Sequence, residues 1–240
     1  ADAGKLRQMG DLLRDKDSNV VAVLSSVKDG KITLSGTFGC EVQTGGVLAF
    51  NYGNPGTITS NTDFEISGTF NGGLTVGGVV SVAYGTLGNY TYNGTINVTE
   101  TAVINRVSRV AGCLGRAWGL ATSASKAGSC SGHINNGTIN VAGTHTGATP
   151  RIAGCVAAAQ AGTATGTTTY YAHKLSNITN NGTVTFSGTV SGTNLYVGGC
   201  VALSTNSVTT AKNNADVIFS GNHTSNNFYM SGVVADSGEN

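Results

Sequence analysis

The sequence predicts an all-β fold: a single-stranded parallel β-helix, or solenoid, of about six rungs with a short N-terminal α-helical cap. Two landmarks that keep step along the chain are the first observation. The glycine of an S-G-T element, or its counterpart, falls at Gly36, Gly68, Glu100, Gly143, Gly188 and Gly221, at spacings of 32, 32, 43, 45 and 33 residues. A second element, small-Gly-apolar-apolar, follows at Gly46, Gly78, Gly112, Gly154, Gly199 and Gly232, lagging the first by 10 to 12 residues. Self-similarity of this kind is the signature of a repeat architecture. The second observation is strict alternation before the first landmark: Ile32 and Leu34, Phe64 and Ile66, Ile96 and Val98, Ile139 and Val141, Val184 and Phe186, Val217 and Phe219 share one parity. Most residues of the other parity are polar, so each unit opens with a strand that has one apolar face. The third is composition, with 36 glycines, 2 prolines and 25 charged residues in 240. No Gly-X-Y period accompanies the glycines, which excludes collagen.

Taken in order, residues 1–30 are expected to cap the solenoid and residues 31–240 to form its rungs. Leu6, Met9, Leu12 and Leu13 stand at helical spacing within 5–15, and VVAVL at 20–24 follows as a strand. In each rung the first strand is followed by a longer apolar run with glycines at its centre, such as LYVGGCVALS at 195–204, where a strand bends or another backbone approaches closely. Asn and Gly turns lead to the next rung, as in NNGTINVAGT at 135–144 and its near-copy NNGTVTFSGT at 180–189. Each rung then buries its apolar edge against like residues above and below. Rungs three and four are longer, and their additions at 116–132 and 157–175 are expected to be projecting loops. The sixth rung ends without a cap, which predicts either a longer chain or docking onto another molecule.

Phe219–Asn222 carries F-x-x-N, followed by a Gly-apolar-apolar element at Gly232–Val234, and the fifth unit has FSGT followed by GGCV. These units resemble the F-x-x-N and G-G-A-[ILV] repeats of the polymorphic outer-membrane-protein type of surface adhesin. They are also similar to the G-G-L-V-G repeats of bacterial cell-surface proteins. The resemblance implies a right-handed β-helix displayed outside the cell, secreted or at the cell surface, and engaged in adhesion or assembly.

Charge excludes several classes of function. A net charge of +1 with no Lys/Arg cluster argues against nucleic acid as a partner. No apolar run of 18 residues occurs, so no membrane-spanning helix is expected. Cys113, Cys155 and Cys200 share one rung position with Val47, Val79 and Val233. That pattern suits a small apolar stack better than a metal ladder, because thiol and valine interchange there. Cys40 and Cys130 fall two rungs apart, too far to pair. No metal or cofactor is expected, and His133, His145, His173 and His223 share no rung position. The acidic residues are scattered, so no catalytic residue is assigned. A carbohydrate-active β-helix enzyme, lyase or hydrolase, remains the alternative, since such enzymes cluster carboxylates or pair one with a basic residue.

Two candidate surfaces emerge. Arg109, Arg151, Tyr196 and Tyr229 occupy one rung position, three before the second glycine, and alternation from Val110, Ile152, Val197 and Met230 points them outward. Such a column suits sugar rings or a protein partner. The triplet N-x-[ST] occurs at Asn89, Asn93, Asn97, Asn136, Asn177, Asn181 and Asn222, which are possible glycosylation sites in a secreted chain. The function expected is an extracellular structural or adhesive solenoid contacting protein or glycan, with head-to-tail assembly as a further possibility.

Overall fold

The computed structural model describes residues 25–28, 30–53, 55–84, 87–119, 128–147, 149–162, 170–224 and 226–238. Within them all helical and strand structure is β. Rung four shows the plan: Thr138–Val141, Thr144–His145, Arg151–Ala153, Val156–Ala161 and Lys174–Asn180 follow one another. These strands belong to sheets 1 to 5, and each pairs with its counterparts in the neighbouring rungs. Pairing between rungs is parallel throughout, so the chain is a parallel β-solenoid of six rungs, as the repeat predicts. The one antiparallel pair joins Ser25–Lys28 to Lys31–Leu34 and extends sheet 1 past the first rung. The helix expected at 5–15 and the strand expected at 20–24 lie outside the described residues.

Sheet 1 has the register that the alternation requires. Ile32, Phe64, Ile96, Ile139, Val184 and Val217 form one column and Leu34, Ile66, Val98, Val141, Phe186 and Phe219 the next. All but the last member of each column are buried in one continuous core. One landmark shifts: Val103 pairs with Thr69 and Thr144, which makes Ala102, not Glu100, the counterpart of Gly68 and Gly143. A turn closed by Ala102 N–H donating to the Thr99 carbonyl, 3.1 Å, absorbs the extra residues of this rung. Sequence spacing alone could not place that insertion, because TET at 99–101 imitates the landmark.

The bend of each rung is built on its second glycine. A Cβ at Gly112 or Gly154 would collide with the side-chain oxygen of Asn135 or Asn180 inside the coil. Those asparagines form an interior ladder: Asn135 Nδ2 donates to Asn180 Oδ1 and Asn180 Nδ2 to Asn213 Oδ1, each at 2.7 Å. Asn135 and Asn180 also bond the backbone two residues on, so each fixes its own corner while tying it to the next rung. Beside them Cys113, Cys155 and Cys200 are buried free thiols. Cys113 and Cys155 donate to backbone carbonyls, as small half-apolar fillers of the corner.

The loops expected at 116–132 and 157–175 are partly strand. Leu114–Gly119 and Val156–Ala161 extend sheet 4 and pair out to Gly119 and Ala161. Ser129–Ser131 pairs with the start of Lys174–Asn180. The longer rungs therefore widen the sheets, because the inserted residues find partners in each other: both rungs are lengthened at the same place.

Candidate functional site

The sharp bend after sheet 3 folds sheet 4 back against the outer side of sheet 3. Thr75 and Ser81 on these two sheets are fully buried, and Ser81 Oγ donates to the Thr75 carbonyl at 2.9 Å. Small residues make this approach possible. A Cβ at Gly77 would strike the Val80 carbonyl, and one at Gly115 would meet the Ser81 carbonyl and the Thr75 side chain. Ala111, Ala153, Ala157, Tyr196, Ala202 and Leu203 form a second apolar cluster, separate from the core. A seam therefore runs between sheets 3 and 4, buried at Thr75, Ser81 and the small-residue cluster and more exposed at Tyr229.

The predicted column lies in this seam. Arg109, Arg151, Tyr196 and Tyr229 stack in register, in rungs three to six. They do turn away from the core, but not onto a solvated face: Arg109 is 5% exposed and Tyr196 7%, whereas Tyr229 in the last rung reaches 36%. Alternation states which side of a sheet a residue occupies, not whether another sheet covers that side. The signal that could have shown the covering is the run of small and apolar residues at both parities in RVAGCLG and RIAGCVAAA, the mark of a strand buried on both faces.

Three guanidinium groups meet here. Arg109 Nη1 contacts Glu41 Oε1 at 3.3 Å and Thr75 Oγ1 at 3.4 Å, and Thr75 Oγ1 donates to the same carboxylate oxygen at 2.8 Å. Arg116 comes from sheet 4, with its guanidinium carbon 3.0 Å from the centre of the Trp118 ring. Arg151 sits one rung above Arg109. The Nε atoms of Arg109, Arg116 and Arg151 are all buried without a hydrogen-bond partner. Burial pushes the Arg116 guanidinium down to about 9, with the charge of Arg109 adding to the effect, and pushes Arg151 down to about 10, again with Arg109 adding. Burial also lowers Arg109, against which Glu41 works. Arg116 and Arg151 remain charged at neutral pH, and Arg109 is the partner of the Glu41 carboxylate.

Aromatic side chains line the outer wall of sheet 4. Tyr52 and Tyr84 stack with centroids 4.8 Å apart and planes 2° apart, and Phe50 lies 6.3 Å from Tyr52. Tyr52 is 71% exposed and Phe50 44%. Trp118 continues this wall, one residue beyond the Ala83–Ala117 pair. On the opposite wall Tyr196 and Tyr229 stack at 4.8 Å with planes 4° apart. Arg116, Phe50, Tyr52, Tyr84 and Trp118 were not legible as neighbours of Arg109, since only the fold-back brings sheet 4 beside sheet 3, whereas Glu41 precedes the sheet 3 strand Val42–Gly45 and reaches Arg109 across two rungs.

The other candidates separate. Asn93, Asn136 and Asn181 form an exposed ladder with Asn61 and Asn214, each Nδ2 donating to the Oδ1 of the rung before at 2.8–2.9 Å. Asn97 Nδ2 bonds both oxygens of Glu65 at 3.1 Å. Asn89, Asn177 and Asn222 are exposed, and Asn177 has a left-handed backbone with φ 52°. His145 and His223 do share a rung position, two rungs apart in the column of Phe38, Phe70, Ile104 and Val190. The expectation of no shared position missed this because the short strands of sheet 2 carry only two residues each. Cys130 Sγ lies 2.7 Å from His133 Nε2, both buried, and Tyr90 stacks on the imidazole. Cys40 is exposed and free. Among the described residues no group of three or more His, Cys, Asp or Glu is placed to hold a metal ion.

Comparison of the chain with protein families, with characterised proteins and with solved structures finds no match. The fold and the seam define a parallel β-solenoid with an arginine- and aromatic-lined groove along one side.

Proposed function

We propose that this chain is an extracellular, non-catalytic β-solenoid that contacts glycans or proteins through the groove between sheets 3 and 4. The observation that carries the reading is the pairing of exposed, coplanar aromatic rings with half-buried guanidinium groups on one continuous surface. Aromatic plates supply contact area at low entropic cost, and arginine supplies fixed, forked donors. Arg109, Arg116 and Arg151 sit on strands paired on either side, a rigid base that keeps binding from costing order. The repeats' likeness to surface adhesins supports display outside the cell. No helix among the described residues is long and apolar enough to cross a membrane.

A second reading is favoured by one feature. Glu41, 3.3 Å from Arg109, is a carboxylate paired with a basic residue, the grouping that a polysaccharide lyase needs. A glycan and matrix-protein array run beside a polysaccharide-cleavage assay separates the two. Retention on the array with no new chain ends supports the contact role; new unsaturated or reducing ends establish the enzyme.

A further inference from the structure

We propose that the groove takes the carboxylates of an acidic polysaccharide on Arg109, Arg116 and Arg151, while the exposed sides of Phe50, Tyr52 and Tyr84 pack against its sugar rings. The assignment rests on the contact role above and names the ligand class. Its first support is the set of three buried Nε donors without acceptors. A buried donor left unpaired is costly, and more so when it carries charge. The Nε edges are closed to solvent, so a carboxylate meets the half-buried Arg116 and Arg151 end-on, through their two terminal nitrogens. The second support is charge: among the described residues Glu41 pairs with Arg109 alone, and neither Arg116 nor Arg151 has a carboxylate within ion-pair distance. The third is geometry. Arg109 and Arg151 are in register on adjacent rungs, about 4.8 Å apart along the axis, so they present a row of cations rather than a point. Tyr52 and Tyr84 repeat at the same step.

The chemistry discriminates among polyanions. With a net charge of +1 the chain lacks the broad cationic field that a nucleic acid requires. An extended acidic peptide would seek a free strand edge, but the strands flanking the groove are paired on both sides in every inner rung. Flat, exposed rings beside the cations suit the apolar face of a sugar.

The test is calorimetric titration of the chain with oligogalacturonate, a neutral β-glucan oligosaccharide, poly-glutamate and dextran sulfate. Arg116→Ala and Arg151→Ala are the site variants and Arg106→Ala, at an exposed position, is the control. Arg151 has no anionic partner among the described residues and is repelled by Arg109, so Arg151→Ala is expected to keep or raise the melting temperature without ligand. Oligogalacturonate is expected to bind, roughly tenfold more weakly in each site variant and unchanged in the control, with Arg151→Lys restoring only part of the loss. Absence of uronate binding, tighter binding of poly-glutamate or dextran sulfate, or an equal loss in Arg106→Ala would overturn the assignment. Retention of neutral glycans alone would overturn the ligand class and leave the contact role standing. Binding with shortening of the uronate chain would overturn the contact role and leave the ligand class standing.

Discussion

Val141 and Asn140 are neighbours in sequence with opposite duties. Val141 is fully buried between Val98 and Phe186, whereas Asn140 faces outward. Val141→Asp puts an unpaired carboxylate into the stack and is expected to cost about 3 kcal/mol or more, while Asn140→Asp stays within roughly 0.5 kcal/mol; chemical denaturation of both variants measures the contrast. Thr210 holds a left-handed backbone, φ 55°, directly above Asn177 at φ 52°. A β-branched residue is strained there, so Thr210→Asn should stabilise by about 0.5–1 kcal/mol. His145 is buried with Nδ1 3.2 Å from Ser108 Oγ, and burial pushes its imidazole down to about 4, against a weaker opposite effect of the Ala142 carbonyl. The unfolded chain takes up this proton near pH 6.5 and the folded chain only near pH 4. The stabilising contribution is therefore complete above pH 6.5 and falls away between those values, by on the order of 3 kcal/mol. His133, pushed down to about 3 by burial, acts in the same direction. Melting temperature is expected to drop steeply from pH 7 to pH 4.5, with a shallower slope in His145→Ile.

At the scale of the strand and its corner, asparagine separates into two kinds. Asn180 is buried and makes four ladder and corner bonds, so Asn180→Ala leaves Asn135 and the Gly182 carbonyl unsatisfied and should cost about 2–4 kcal/mol. Asn181, its exposed neighbour, should cost less than about 1 kcal/mol; thermal melts of the two variants compare them. The same contrast bears on glycosylation. A sugar on Nδ2 of Asn93, Asn136 or Asn181 must fit beside the exposed ladder, while Asn177 and Asn222 carry no such bond. Expression in a glycosylating host followed by peptide mapping is expected to find sugar at the latter pair before the former.

What was legible in the chain follows the range of each interaction. Sheet 1 reads directly from Ile32 to Phe219, because period-two alternation and rung-to-rung stacking are local patterns repeated in register. The column of Arg109, Arg151, Tyr196 and Tyr229 reads for the same reason. Its covering by sheet 4 did not, since the fold-back depends on whether Gly77, Ala111 and Gly115 let two backbones approach. That is a property of pairs, not of a period. Arg116 joined the site only through this contact, and the Cys130–His133 pair arose inside a widened rung that looked like loop.

At the scale of the molecule, everything above depends on residues 32 to 45 apart in sequence lying one rung apart in space. The groove, the aromatic wall and both asparagine ladders are consequences of that stacking. Asn97, Asn140 and Thr185 stand in one outward column on adjacent rungs. In a Cys40→Ser background, where the remaining described cysteines are buried, nitroxide labels can be placed on pairs of these positions after substitution to cysteine. Parallel stacking predicts strong and equal dipolar broadening for 97/140 and 140/185, backbone steps of about 4.8 Å, and weaker broadening for 97/185 at about twice that step. Unequal neighbouring pairs, or a 97/185 pair closer than either, would contradict the solenoid and with it the groove.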